Sequence, residues 1–152
     1  MHKRFWKNKN VLVTGSEGFL GSNIAKKLID YEANVIGLDI RAGKKPGTLL
    51  TEKDRDKFIS LRGNVCNYSL MKEILTSYKI GIVFHLAAEA IVAKCWNNPK
   101  LTFSSNVGGT WIMLEACRRS LSVEAAIVAS SDKAYGSSKN LPYREEIPLQ
   151  GH

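Results

Sequence analysis

The segment VLVTGSEGFLG, residues 11–21, constrains the fold of this chain more than any other. Its apolar, β-branched beginning predicts a short buried strand, and apolar residues at helical spacing predict a helix over residues 22–31. In the turn between them, Gly15 can take backbone angles barred to other residues, Gly18 lets a ligand approach the main chain, and Gly21 lets the helix pack closely. A helix that begins at such a turn offers N–H groups and a positive dipole end to phosphate oxygens. The segment therefore predicts a pyrophosphate-binding site.

A second strand, predicted over residues 33–40, favours a cofactor site over an ordinary glycine-rich turn. The spacing G-x-x-G-x-x-G alone fits both, because the general dinucleotide fingerprint is G-x-G-x-x-G. Asp39 lies in this strand where an acidic residue binds the adenosine ribose. A carboxylate there accepts a hydrogen bond from the 2′-hydroxyl and repels a 2′-phosphate, so we expect NAD rather than NADP. Arg41 leaves an alternative open, since its guanidinium either holds a phosphate or is a solvated loop cation.

The rest of the chain alternates between apolar runs and helical patterns. Strands are predicted over residues 58–65, 80–87 and 123–131, and helices over 66–78 and 98–120. This order predicts an α/β fold: one Rossmann-like domain over residues 1–152, with a doubly wound parallel sheet and helices on both faces. The charged residues 52–57 are predicted to form a solvated turn or a short helix.

Ligands of such sheets bind outside the carboxyl ends of the strands, so the residues after each strand are the functional candidates. Asn64 and Val65 follow the third predicted strand and either contact an adenine or form a plain loop. His85 lies inside an apolar run, which is more typical of a hydrogen-bonded core histidine than of a catalytic base.

Composition excludes several other classes of protein. The net charge of +8 favours anionic ligands, but the sequence has no aromatic-interleaved basic stripe or zinc spacing, so nucleic acid is not expected as a partner. The three cysteines form no C-x-x-C pair, which predicts reduced thiols, no metal site and a cytoplasmic location. No run approaches the ~20 apolar residues of a membrane span, so no membrane association is expected.

Further motifs follow the glycine turn in order and are distributed over nearly the whole chain. They are Asp39, GNV at residues 63–65, HLAAEA at 85–90, SNVGGT at 105–110 and SSDKAYG at 130–136. With VTGSEGFLG, they resemble the motifs of the extended short-chain dehydrogenase/reductases that act on nucleotide sugars. The family usually has G-D-V where this chain has Asn64, so that adenine contact departs from the pattern.

Together, the fold argument and the resemblance give a set of expected cofactor-binding residues. They are Gly15, Ser16, Gly18, Phe19, Leu20, Gly21, Asp39, Ile40, Arg41, Asn64, Val65, Leu86, Ala87, Ala88, Asn106 and Ser130.

Within the family, the segments at residues 83–99 and 130–136 look most like the CDP-glucose 4,6-dehydratase branch. The resemblance implies that Ser131 hydrogen-bonds the sugar 4-hydroxyl and that Asp132 protonates the departing 6-hydroxyl. Lys133 stands where dehydratases usually have Glu, and its part in proton removal is left open. The alternative for Asp132 and Lys133 is an exposed turn whose ion pair contributes little.

The family's general base is the Tyr of a Y-x-x-x-K motif on a helix. Tyr135 and Lys139 have that spacing, but the residues around them predict a loop, so the chain resembles the N-terminal, cofactor-binding half of a longer enzyme. We therefore expect no turnover and weak NAD binding from this chain alone. Association into a homodimer or higher oligomer is expected through Val107, Trp111 and Leu114. A nucleotide-sugar 4-epimerase and a non-catalytic dinucleotide-binding module remain the alternatives.

Overall fold

A five-stranded parallel sheet forms the centre of the protein. The structure, a computed structural model, describes residues 3–41, 50–137 and 141–150. The strands lie in the order β3-β2-β1-β4-β5. Their bounds are β1 Asn10–Thr14, β2 Asn34–Asp39, β3 Phe58–Arg62, β4 Ile82–His85 and β5 Ala125–Val128. This confirms the predicted Rossmann-like fold, although each predicted strand except β1 extends beyond the observed one.

Helices connect the strands. They are α1 Lys3–Trp6, α2 Phe19–Asp30, α3 Glu52–Arg55, α4 Tyr68–Ser77, α5 Val92–Asn97, α6 Pro99–Phe103 and α7 Gly109–Arg119. A π-helical turn, Ser104–Gly108, joins α6 to α7, and a 3-10 turn, Asp132–Tyr135, follows β5. The sequence predicted α2, α4 and the short α3, with Asn67 capping α4 through the N–H of Leu70 at 3.1 Å. It gave no signal for α1 or α5.

The helical stretch predicted over residues 98–120 is confirmed as a contiguous run from Pro99 to Arg119, in which the π-helical turn lies between α6 and α7. Asn98 caps the beginning of α6 by accepting the N–H of Leu101 at 3.1 Å. The irregular turn ends at two glycines, and a Cβ on Gly109 would lie 2.7 Å from Val65 Cγ2. The glycine pair therefore brings the helix backbone close to the segment that follows β3.

The core has one layer on each face of the sheet. Alternate β1 residues point to opposite faces, so that Val11 and Val13 join one layer and Leu12 joins the other. The first layer includes Ala25, Leu28 and Ile29 of α2, and the second includes Met71, Ile74, Leu75, Met113 and Ala116 of α4 and α7. This burial on both faces explains why β1, β2 and β4 are nearly uninterrupted apolar runs.

Helices cover both faces of the sheet, as predicted, but all residues of the edge strand β5 are exposed. The exposed apolar side chains on the helix after β4 were expected: Val107 is 59%, Trp111 72% and Leu114 44% exposed. They line an open groove of about 460 Å³. In the ranges that the structure describes, every helix is too short or too polar to cross a bilayer.

Candidate functional site

The carboxyl ends of the parallel strands lie at one edge of the sheet. Strand β1 pairs with β2 on one side and with β4 on the other, so the chain order reverses at β1. At such a point the two adjoining connections leave toward opposite faces and open a crevice. The residues after β1, β2 and β4 therefore surround a single place where a ligand can bind.

The glycine turn fits tightly against the segment that follows β4. Gly15 has a φ of +67°, and a Cβ there would lie 3.0 Å from both the amide nitrogen of Ala87 and the carbonyl oxygen of Leu86. A Cβ on Gly21 would overlap the carbonyl oxygen of Gly15, so the beginning of α2 contacts the turn directly. These contacts bring Gly15, Gly21, Leu86 and Ala87 together, as the sequence predicted.

The beginning of α2 is open to a ligand. Gly18 precedes the helix and makes no side-chain capping bond, while the first residues, Phe19 and Leu20, are 75% and 53% exposed. The N–H groups in the first turn of a helix lack partners within that helix. With no capping side chain over them, these N–H groups and the helix dipole can bind phosphate oxygens.

The Asp39 carboxylate lies beside this turn and is only 8% exposed. Its Oδ2 accepts the N–H of Glu17 at 3.3 Å, and its Oδ1 accepts the N–H of Arg41 at 3.0 Å. The two bonds hold the carboxylate at the end of β2, where the sequence predicted a ribose-binding acid. Ile40 and the Arg41 side chain are exposed next to it.

Two residues of the site were missed by sequence reasoning. The Glu17 side chain is 0% exposed and forms a bidentate ion pair with Arg55, at 3.0 and 3.2 Å, on the short helix α3. Residues 52–57 were expected to form a solvated turn or a short helix; the short helix is present, but the low exposure of the Arg55 side chain, 16%, was not predicted. A charged residue within a tight glycine turn was the available signal, because a buried carboxylate requires a partner.

Other predicted cofactor residues face inward. The Ser16 hydroxyl is buried and lies 2.6 Å from the position that a Cβ on Gly37 would take, so only its backbone faces the turn. Val65 is buried against Gly109, whereas Asn64 is exposed and its Oδ1 accepts the N–H of Cys66 at 2.9 Å. Asn64 therefore stabilises the turn of the chain just beyond β3.

A chain of hydrogen bonds links β1 to β4 and α7. Thr14 Oγ1 accepts the N–H groups of Leu86 and Ala87, each at 3.1 Å, so its own proton goes to His85 Nδ1 at 2.9 Å. His85 Nε2 then carries a proton and donates it to Thr110 Oγ1 at 3.2 Å. Burial lowers the pKa of His85, which keeps this imidazole neutral. His85 is the hydrogen-bonded core histidine that the sequence predicted.

The last members of the chain hold the loop after β4. Thr110 Oγ1 donates to the Asn106 carbonyl at 2.7 Å, and the Asn106 side chain bonds both backbone groups of Glu89, at 2.8 and 3.0 Å. Asn106 was predicted to contact the cofactor. In the structure its amide instead holds the backbone of Glu89, the residue that follows Ala88.

The predicted catalytic residues follow β5 at the same edge. Ser130 and Ser131 are exposed, and Ser131 Oγ accepts the N–H of Lys133 at 3.2 Å at the beginning of the 3-10 turn. Lys133 Nζ and Asp132 Oδ2 form an exposed ion pair at 3.3 Å. The turn ends at Tyr135 and no α-helix follows through Ser137; Lys139, its possible partner at Y-x-x-x-K spacing, lies outside the described residues.

Comparison with known proteins identifies relatives of this arrangement. A family model described as GDP-mannose 4,6 dehydratase matches residues 12–152. The chain is 32% identical to a CDP-glucose 4,6-dehydratase of Salmonella typhimurium over 99% of its own length and 42% of that enzyme. Its structure resembles a UDP-glucose 4-epimerase from Brucella ovis in complex with NAD, with a TM-score of 0.79, 28% identity and coverage of 95% and 42% of the two chains. It also resembles a dTDP-glucose 4,6-dehydratase from Streptomyces venezuelae with bound NAD, with a TM-score of 0.80, 25% identity and coverage of 93% and 45%. The chain thus spans less than half the length of these relatives.

Proposed function

Because the chain belongs to the GDP-mannose 4,6 dehydratase family, we propose that it is the NAD-binding part of a nucleotide-sugar 4,6-dehydratase. One observation carries the proposal: the uncapped beginning of helix α2, just after Gly18, and the Asp39 carboxylate lie close together. Both are at the strand end where the sheet order reverses. The helix N–H groups can bind phosphate groups, and the carboxylate can accept a hydrogen bond from a ribose hydroxyl.

Each part of the site has its own role in binding. The N–H groups of Phe19, Leu20 and Gly21 bind the pyrophosphate, and Asp39 accepts a hydrogen bond from the adenosine ribose. Asn64 and Val65 contact the adenine, while the Leu86–Ala88 backbone faces the remainder of the dinucleotide. When bound, NAD supplies the acceptor for the hydride that leaves carbon 4 of the sugar.

The residues after β5 would then act on the sugar. Ser131 hydrogen-bonds the 4-hydroxyl, and Asp132 gives a proton to the departing 6-hydroxyl. To act as the acid, Asp132 has to take up a proton before the elimination, and its ion pair with Lys133, at 3.3 Å, has to open for this. Both side chains are more than half exposed, so opening this contact costs little.

A nucleotide-sugar 4-epimerase is the second candidate, and the same ion pair favours it. An epimerase returns its hydride to carbon 4 and expels no hydroxyl group, so it needs no acid at Asp132. The likeness to a UDP-glucose 4-epimerase of known structure also supports this candidate. A dinucleotide-binding module without catalysis, the third candidate, needs only the glycine turn and Asp39.

Calorimetric titration of this chain with NAD tests the binding claim that all three candidates share. We expect weak binding, and a Gly18→Val variant should abolish it because the added methyl groups occupy the space that the pyrophosphate needs. Gly81→Ala is the matched control, since its Cβ would meet neighbours only at 3.8 Å and beyond, at the opposite end of the sheet. Absence of heat at millimolar NAD would contradict the proposal, as would unchanged affinity in Gly18→Val.

The reaction is tested with the full-length protein that contains this chain. Incubation with CDP-glucose and NAD should yield a 4-keto-6-deoxy sugar, detected by its absorbance in base. A 4-epimer without loss of water would instead establish the epimerase, and binding of NAD without conversion of any nucleotide sugar would favour the non-catalytic module.

A further inference from the structure

The ion pair between Glu17 and Arg55 is buried at the cofactor site. Two Arg55 nitrogens donate to the two Glu17 carboxylate oxygens, and Ser60 Oγ lies 3.5 Å from one of them. The hydrogen bonds that Arg55 donates to the Glu17 carboxylate raise the pKa of Arg55, so the guanidinium stays charged despite its partial burial. Arg55 Nε is buried and has no hydrogen-bond partner within the part of the chain that the structure describes. The guanidinium therefore keeps its Nε donor, which Glu17 does not use.

Glu17 also connects this pair to the ribose-binding carboxylate. Its backbone N–H donates to Asp39 Oδ2 at 3.3 Å, while its side chain holds Arg55. One residue thus spans the distance from Asp39 to the guanidinium. The charge state of the Glu17–Arg55 pair therefore acts on whatever group occupies the ribose end of the site.

Cations already surround that end of the site. Arg41 lies two residues after Asp39, and its N–H donates to Asp39 Oδ1. Arg62 pairs with Asp39 in the sheet register and donates from Nε to the Ile40 carbonyl at 3.3 Å. Both arginines are exposed, so solvent screens them strongly. The Arg55 side chain is the least exposed of these cations, at 16%, so solvent would screen its charge less if it were unpaired.

We propose that Glu17 is a specificity-determining residue of the dinucleotide site, which favours NAD over NADP by neutralising Arg55. The proposal rests on the NAD-binding function proposed above. With the pair intact, the negative charge of Asp39 dominates the ribose end, and it repels a 2′-phosphate. Without the Glu17 carboxylate, the Arg55 guanidinium becomes available to attract that phosphate.

The test measures the dissociation constants of NAD and NADP by calorimetry for the same protein. In Glu17→Gln, an isosteric change, the ratio Kd(NADP)/Kd(NAD) should fall on the order of 10-fold. In Glu17→Gln/Arg55→Met the ratio should return toward that of the wild type, because the released cation is gone. A merely structural ion pair predicts that NAD and NADP weaken together in both variants, and this result would overturn the proposal.

Lys26 provides the matched control, because it holds the same helix through Asp54 at 3.2 Å. Lys26→Met removes a tether of α3 without releasing a charge at the ribose end, so the ratio should not change.

Should Glu17→Gln fail to fold, the exchange Glu17→Arg/Arg55→Glu keeps both charges and places the cation on the glycine turn, where NADP should then be preferred. An unchanged ratio in that variant also counts against the proposal. If the wild type binds neither dinucleotide, the proposed function fails; if it binds NAD and no variant changes the ratio, only this inference fails.

Discussion

Replacing Thr14 by Val should destabilise this protein far more than the size of the change suggests. Valine has nearly the same shape as threonine but cannot accept or donate a hydrogen bond. Thr14 is fully buried, and its hydroxyl satisfies the N–H groups of Leu86 and Ala87 and the Nδ1 atom of His85. The variant therefore leaves these groups without their partner while it preserves the packing around β1.

The magnitude follows from the number of groups left unsatisfied. Each buried polar group without a partner costs about 1–3 kcal/mol, and the two N–H groups here are only partly buried, so we expect a loss of about 3–6 kcal/mol. This is a large part of the ~5–15 kcal/mol by which a domain is stable. Thr14→Ser keeps the hydroxyl and removes one methyl group, which costs only ~1 kcal/mol.

Urea denaturation followed by circular dichroism measures both variants against the wild type. Thr14→Val should unfold at a lower urea concentration than Thr14→Ser, with an unchanged slope if both variants remain two-state. Thermal denaturation should show a difference of roughly 10 °C between them for a domain of this size. If the two variants are equally stable to within ~1 kcal/mol, the hydroxyl does not satisfy these groups and the reasoning is refuted.

Three further predictions concern other parts of the molecule. Gly21→Ala would place a Cβ against the Gly15 carbonyl oxygen, so NAD affinity should fall by at least about 10-fold in a calorimetric titration, while Gly81→Ala leaves it unchanged. Because burial lowers the pKa of His85, the unfolded chain binds a proton more readily than the folded chain. The free energy of unfolding should therefore fall as pH drops from about 7.5 to about 5.5. His85→Gln should remove up to ~1.4 kcal/mol per pH unit of that slope, measured in urea titrations. Trp111 is 72% exposed beside other apolar side chains, so Trp111→Glu should reduce self-association in sedimentation velocity; a wild type that is monomeric at high concentration would contradict this expectation.

The glycine turn and Asp39 could be predicted because each depends on its own strand. A glycine at a strand-to-helix turn and an acid at the end of the next strand are local patterns, and the parallel sheet brings them together. The Glu17–Arg55 pair could not be predicted in the same way, because 38 residues separate its members and nothing in either segment names its partner. Only the packing of α3 beside the turn shows which cation reaches the buried carboxylate.

Asn106 shows the opposite limit of local patterns. Its motif predicts a cofactor-binding residue, and the structure shows its amide bonded to the backbone of Glu89. A short motif identifies which residues a site needs, and it does not tell a residue that touches the ligand from one that shapes the loop beside it. That distinction depends on which donors and acceptors the neighbouring elements already satisfy.

The two sides of the site should respond differently to substitution. On the β4 side, the hydroxyl of Thr14 and the amide of Asn106 bond to backbone groups of the loop, so this side offers a ligand mainly a positioned main chain. The β2 side, where we propose that the ribose binds, carries charged groups, namely Asp39 and the ion pair that Glu17 forms with Arg55. Thr14→Val should therefore weaken NAD and NADP by the same factor, since both share the pyrophosphate, whereas Glu17→Gln should change the choice between them. Titration of both variants with both dinucleotides measures this separation, and a changed NADP-to-NAD ratio in Thr14→Val would show that the two sides are coupled through the glycine turn.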